Sequence, residues 1–196
     1  MRLIRKAVWK AAGACKDITA AHLQAVADLL EKQTGRYVKL PYGLTATRVY
    51  NVIEIMGKRK ETEKICLPID TDRLPENLLA GEWKFSFKKF LYDGNTDKIP
   101  RKMYTKWFDY DKIKDSLAIR NRRKGDYFVL DAAGHHKKLE DYFVNEKIPA
   151  SHRDEQLLLA GEDEIFWIVG GRMAYGTGIS DATRWVLEIT ASNSSH

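Results

Sequence analysis

The stretch R-N-R-R-K-G-D-Y-F at residues 120–128, with G-H-H-K-K-L-E-D-Y-F-V-N-E-K-I-P at 134–149 and S-H-R-D at 151–154, governs the reading of this chain. Extended backbone places Arg120 and Arg122 on one face. Arg123 and Lys124 enter a turn in which Gly125 takes a positive φ and Asp126 bonds nearby amides. Tyr127–Leu130 is expected to return as a strand beside Leu117–Asn121, making a hairpin tipped with cations. A helix is expected over His136–Glu146, with Leu139 and Phe143 on its buried face. Lys137 and Lys138 would then lie in its first turn, where the dipole disfavours cations but free N–H groups can hold phosphate. Ile148, before Pro149, closes the helix and turns inward, leaving Lys147 outside. Arg153 and Asp154 read equally as an internal ion pair or a phosphate contact. The candidate polyanion-binding residues are thus Arg120, Arg122, Arg123, Lys124, Lys137, Lys138, Lys147 and Arg153, with Gly125 and Asp126 shaping the turn. The plainer alternatives are a solvated hairpin and a Lys137–Asp141 pair on a wet helical face.

Outward from this stretch, strands dominate. Trp83–Lys88 alternates apolar and polar residues, as a strand with one wet face does. Lys102–Phe108, Gln156–Leu159, Glu164–Val169 and Arg184–Ile189 read as further strands, with a helical turn at Asp109–Lys112. Towards the N-terminus, Leu3, Ala7, Val8 and Ala11 recur at helical spacing. Thr19 caps a second helix with Leu23, Val26, Ala27 and Leu30 as its stripe, closed by Gly35. A strand at Arg36–Leu40, a turn at Pro41–Gly43 and one long strand at Leu44–Ile55 follow. The apolar-free stretch 57–64 is the linker candidate. The expected fold class is α+β: a helix–helix–hairpin module over 1–57, then a β-rich, sandwich-like domain over 65–191 with one clear helix.

The chain has 196 residues, 44% hydrophobic and 31% charged, with net charge +6 and a pI near 9.2. That is ordinary for a soluble domain and compatible with a polyanionic partner. No run approaches the ~18 apolar residues of a membrane helix, and no export signal is visible. Cys15 and Cys66 are far apart, which argues against disulfides and zinc and for a reducing compartment. Adjacent His135 and His136 diverge and do not make a metal site. Gly170-Gly171 and Gly176-x-Gly178 lack the rest of a nucleotide-binding pattern and read as turns. Trp83, Phe85, Phe87, Trp107, Trp167 and Trp185 read as core, with Tyr127 and Tyr142 as exceptions beside the basic patch.

In order and spacing, Arg120, Arg122, Gly125, Asp126, Lys137, Lys138, Leu139, Phe143, Lys147, Ile148, Pro149, Arg153 and Asp154 resemble the C-terminal domain of bacterial tRNA(Ile)-lysidine synthases. The pattern there is R-x-R-x-x-G-D, K-K-L-K-x-x-F, K-I-P and R-D. Asp17, Thr19, His22, Leu40, Pro41, Arg48 and Tyr50 resemble that family's substrate-binding domain. The resemblance is strong over 108–190, moderate over 1–56 and slight over 57–105. It implies a β-sandwich with an added helix, related to one in the beta chain of phenylalanine–tRNA ligase. It implies a cytoplasmic, tRNA-binding portion of a ligase that joins lysine to a wobble cytidine. The acceptor-stem side of the tRNA and the enzyme's own N-terminal catalytic domain are the implied partners, with room for a homodimer. ATP and magnesium belong to that catalytic domain and its S-G-G-x-D-S loop, which these 196 residues lack, so no cofactor is expected in this chain. Three rival readings are a free-standing RNA-binding module, a metal-dependent nuclease using Asp126, Asp131 and the histidines, and a basic domain that meets an acidic protein.

Overall fold

Helix formation at the N-terminus follows from capping as much as from periodicity. The computed structural model describes residues 1–13, 16–57, 64–115 and 117–193, and the chain divides into units Met1–Thr62 and Glu63–His196. The stretch read as a linker falls mostly outside the described residues. In the first unit, α1 (Arg2–Ala12) ends at Gly13, whose left-handed φ of 63° lets its N–H reach the Trp9 carbonyl. Helix α2 (Ala20–Asp28) begins at a capping box in which Thr19 and His22 satisfy each other's backbone N–H groups. Its last turn tightens to a 3-10 helix at Leu29–Glu31. Three residues per turn bring Leu29 beneath Val26, so Leu29 is buried and Leu30, expected in the stripe, is exposed. Gly35 has the expected positive φ (89°), but in the turn just before Tyr37 rather than at the helix end.

Strands β1 (Tyr37–Lys39), β2 (Thr45–Val49) and β3 (Val52–Met56) form an antiparallel sheet in that order. The single strand expected over Leu44–Ile55 is therefore two. Tyr50, at φ 48°, reverses the chain between Val49 and Val52. Val8, Leu23, Val26, Leu29, Leu40, Leu44 and Ala46 form the core of this unit.

The second unit is built on two four-stranded antiparallel sheets. One runs β5 (Asn77–Ala80), β6 (Trp83–Leu91), β13 (Trp185–Asn193) and β7 (Thr105–Asp109). The other runs β12 (Ile165–Ile168), β11 (Leu158–Ala160), β8 (Ala118–Arg120) and β4 (Cys66–Pro68). Phe85, Phe87, Phe108, Leu187 and Ile189 of the first meet Ile119, Leu159 and Trp167 of the second in a shared core. The other face of the second sheet is covered too. Leu158, Ala160, Ile165 and Ile168 pack with Phe128, Leu139 and Phe143. Burial on both faces explains the unbroken apolar runs of β11 and β12, whereas β6 alternates because one of its faces is wet. The fold is α+β, dominated by antiparallel sheets, with short helices α3 (Tyr110–Ile113), α4 (Leu139–Asn145) and α5 (Ala150–Arg153).

Two expectations near the basic stretch are corrected. β9 (Tyr127–Val129) does not return beside β8, because β4 and β11 already occupy both edges of β8. It pairs instead with β10 (His136–Lys138), in what was expected to be the start of a helix. The reason is local: Asp131 accepts the N–H of Ala133 at 3.0 Å and Gly134 takes φ 77°, closing a hairpin loop before any helix can begin. Lys137 and Lys138 therefore do not lie in a helical first turn. Helix α4 starts at Leu139, with Glu140 and Asp141 where the dipole favours them.

Candidate nucleic-acid interface

Arg120 leaves β8 on the face opposite Ile119 and enters the interior. It is 1% exposed. Its Nη1 and Nη2 donate to the two Asp126 oxygens at 2.9 and 2.7 Å. It also donates to the carbonyls of Asn121 (3.1 Å) and Glu162 (3.0 Å). The other Asp126 contacts fix the chain around it. Its Oδ2 accepts the Arg123 N–H at 2.7 Å, and its carbonyl accepts the N–H of Leu139, the first residue of α4, at 2.9 Å. A two-pronged buried ion pair thus joins β8, the turn 123–126, the 162 loop and the start of α4.

This corrects the expectation that Arg120 and Arg122 project outward together. Arg120 is internal. Arg122 donates through Nε to Asp154 at 2.7 Å and lies 3.6 Å from Glu140. The charged residues of R-x-R-x-x-G-D and R-D largely pair among themselves, Arg120 with Asp126 and Arg122 with Asp154. The pattern encodes the architecture beneath the surface. Arg153 donates to the Ile148 carbonyl at 2.8 Å, fixing the bend after α4, while Asp154 pairs with Arg122. The nuclease alternative loses Asp126, whose carboxylate is enclosed by a guanidinium. Asp131 is bound to the His135 ring at 2.9 Å.

Standing on this buried base are the exposed cations. Arg123 and Lys124 form the turn, with Gly125 at φ 98°. The Arg123 Nη2 lies 3.0 Å from the Cys66 sulfur. Lys138 is exposed at the end of β10, and Lys147, at φ 54°, is exposed after α4 while Ile148 packs inward. Lys137 is half-buried; with the Asn145 amide turned to face it, its Nζ lies 2.8 Å from that oxygen.

Several features were not read from the sequence. The His136 ring stacks on Tyr127 at 4.5 Å and 6°, a diagonal neighbour that only the β9–β10 register reveals. The Arg172 guanidinium lies 5.3 Å over the Phe128 ring. Asn121 accepts the Ile65 N–H at 2.7 Å. Tyr142 meets Phe128 edge-on, and burial, then the Glu146 charge, pushes its phenol above the usual range. The His135 hydrogen bond holds Asp131 below the usual carboxylate range. Among the described residues, no cluster of three His, Cys, Asp or Glu could hold a metal, and no helix is long and apolar enough to cross a membrane. The Gly170 turn is no phosphate cradle: a Cβ there would lie 2.7 Å from the Tyr104 ring.

Residues 117–189 match the family described as the TilS substrate C-terminal domain. The tRNA(Ile)-lysidine synthase of Caldanaerobacter subterraneus subsp. tengcongensis is 32% identical over 189 residues, covering 96% of this chain and 40% of that protein. That of Clostridium perfringens is 29% identical over 197 residues, covering 96% and 42%. The chain thus spans about 40% of the length of the curated relatives it matches. A crystal structure of a TilS C-terminal domain aligns with a TM-score of 0.50 at 19% identity, over 67% of this chain and 98% of that one, a likeness of fold. Residues 117–189 thus match the TilS substrate C-terminal domain, and the chain as a whole is similar to the C-terminal part of the tRNA(Ile)-lysidine synthases.

Proposed function

We propose that this chain is the tRNA-gripping part of a tRNA(Ile)-lysidine synthase, the cytoplasmic ligase that joins lysine to a wobble cytidine using ATP. The observation that carries the reading is the rigid Arg123–Lys124 turn standing on the buried Arg120–Asp126 pair. Cations held in place before binding lose little freedom when they meet an anion. With Arg120 internal and Arg122 balanced by Asp154 and Glu140, the phosphate contacts fall to Arg123, Lys124, Lys138 and Lys147. On an A-form stem, such as the acceptor side of a tRNA, phosphate and 2′-hydroxyl contacts dominate because the deep groove hides the base edges. ATP and magnesium belong with the catalytic domain, the chain's partner in this reading, and the chain alone does not adenylate tRNA.

The test is the salt dependence of binding to an unmodified tRNA(Ile) transcript. Each neutralised phosphate contributes about 0.9 to the slope of log affinity against log salt. Replacing Arg123, Lys124, Lys138 and Lys147 by Gln should flatten that slope by about 3 to 4. An unchanged slope rejects the grip.

A further inference from the structure

The positive charge of this chain is not concentrated where the family motif lies. The segment 120–154 carries eight Lys and Arg against six Asp and Glu. The first 16 residues carry Arg2, Arg5, Lys6, Lys10 and Lys16 and no Asp or Glu, five of the chain's net six charges. The remaining 180 residues together hold a net of only one. A locally clustered excess, more than an overall pI, is the electrostatic footprint of a nucleic-acid contact.

Four of these cations lie on α1. Val8 is fully buried, and Ile4 and Ala12 pack against the same core. Arg2, Lys6 and Lys10 follow at i, i+4 and i+8, a ridge rising about 6 Å per step on the side away from Val8. All three are exposed, and none has an ion-pair partner among the described residues. Arg5 flanks the ridge with its guanidinium 5.6 Å from the ring of Trp9, itself 39% exposed. The first turn contains no acid. Like charges at i,i+4 and cations at the positive end of the dipole both weaken a helix. A face meant only for water would intersperse glutamates, so this arrangement favours an anion that recurs along a line.

We propose that the Arg2–Lys6–Lys10 ridge of α1, with Arg5 beside it, is a second contact for RNA phosphates, in a different unit from the Arg123–Lys124 turn. It takes RNA as the partner from the proposed function and adds where else the RNA is held. A membrane surface is the rival occupant of a basic helix. A helix lying in a bilayer must bury its apolar face there, and here that face is committed to the core of the unit through Ile4, Val8 and Ala12.

The experiment compares the full chain with its Arg2→Gln, Lys6→Gln, Lys10→Gln variant, using an unmodified tRNA(Ile) transcript and, separately, anionic phosphatidylglycerol vesicles. Glutamine keeps helix propensity, and circular dichroism checks the fold. The salt slope should flatten by about 2 to 3, with affinity at low salt falling about 10- to 100-fold. The charge-keeping variant Arg2→Lys, Lys6→Arg, Lys10→Arg should bind as the unaltered chain does, which a purely structural role for these side chains would not produce. Unchanged RNA slope in the Gln variant overturns the ridge, and if the turn variant still flattens the slope, the proposed function stands without it. Vesicle binding lost while RNA binding persists overturns it in favour of a membrane surface. No binding of the transcript by the unaltered chain sinks both.

Discussion

Arg120 illustrates how the residues around a charge decide what it does. Alternation along a strand puts Arg120 and Arg122 on one face, and it says nothing about whether that face meets water. The covering layer supplied by α4 and the β9–β10 hairpin turns the face inward and makes Arg120 an anchor. Because each member of the pair is buried, removing either leaves the other charge uncompensated. Arg120→Ala and Asp126→Ala are each expected to cost about 3–5 kcal/mol in urea unfolding, and the double variant far less than the sum. Additive losses would mean that the two do not act as a unit. The exposed Asp131 gives a pH signature without a large energy. Its carboxyl is held low by His135, so any stabilisation is present above the ordinary carboxylate pKa and fades as pH falls through the depressed value. His135→Ala should raise the Asp131 titration midpoint towards that of an ordinary aspartate, as followed by carboxyl-carbon NMR.

At the scale of elements, the sequence was most legible where local chemistry acts alone. The Thr19 cap, the alternation of β6 and the Asp109 helical turn were readable because each needs only neighbours a few residues away. Three elements were not. β4 (Cys66–Pro68) is a short strand containing proline, which is tolerated at the edge of its sheet, where among the described residues no strand lies beyond it. β10 has the composition of a helix start, and its pairing with β9 overrides that propensity. The split between β2 and β3 rests on a left-handed tyrosine, a conformation that composition does not announce. The Gly170 turn shows a constraint imposed from outside its own element. Its φ of 77° excludes most side chains, and Tyr104 fills the space a Cβ would need. Gly170→Ala is therefore expected to destabilise the second unit by about 1–3 kcal/mol through backbone strain and overpacking together. Recovery in Gly170→Ala, Tyr104→Leu would assign the larger share to the ring contact, whereas no recovery would assign it to the backbone.

For the molecule as a whole, motif similarity and charge excess point to different places. The candidate site was legible as a region but not residue by residue: of the cations in 120–154, Arg123, Lys124, Lys138 and Lys147 are exposed, while Arg120 and Arg153 hold the fold and Arg122 is balanced by carboxylates. Burial separates these roles, and burial depends on contacts far along the chain. The two units have separate hydrophobic cores, so neutralising the surface of one should leave the folding of the other undisturbed. Salt slopes count released counterions and therefore add when all contacts form in one complex. Neutralising Arg2, Lys6, Lys10, Arg123, Lys124, Lys138 and Lys147 together is expected to flatten the tRNA slope by about 6, the combined effect of both surfaces. A combined change no larger than that of the turn variant alone would mean that the RNA engages one unit at a time. The ridge and the turn would then be alternative footholds rather than two ends of one grip.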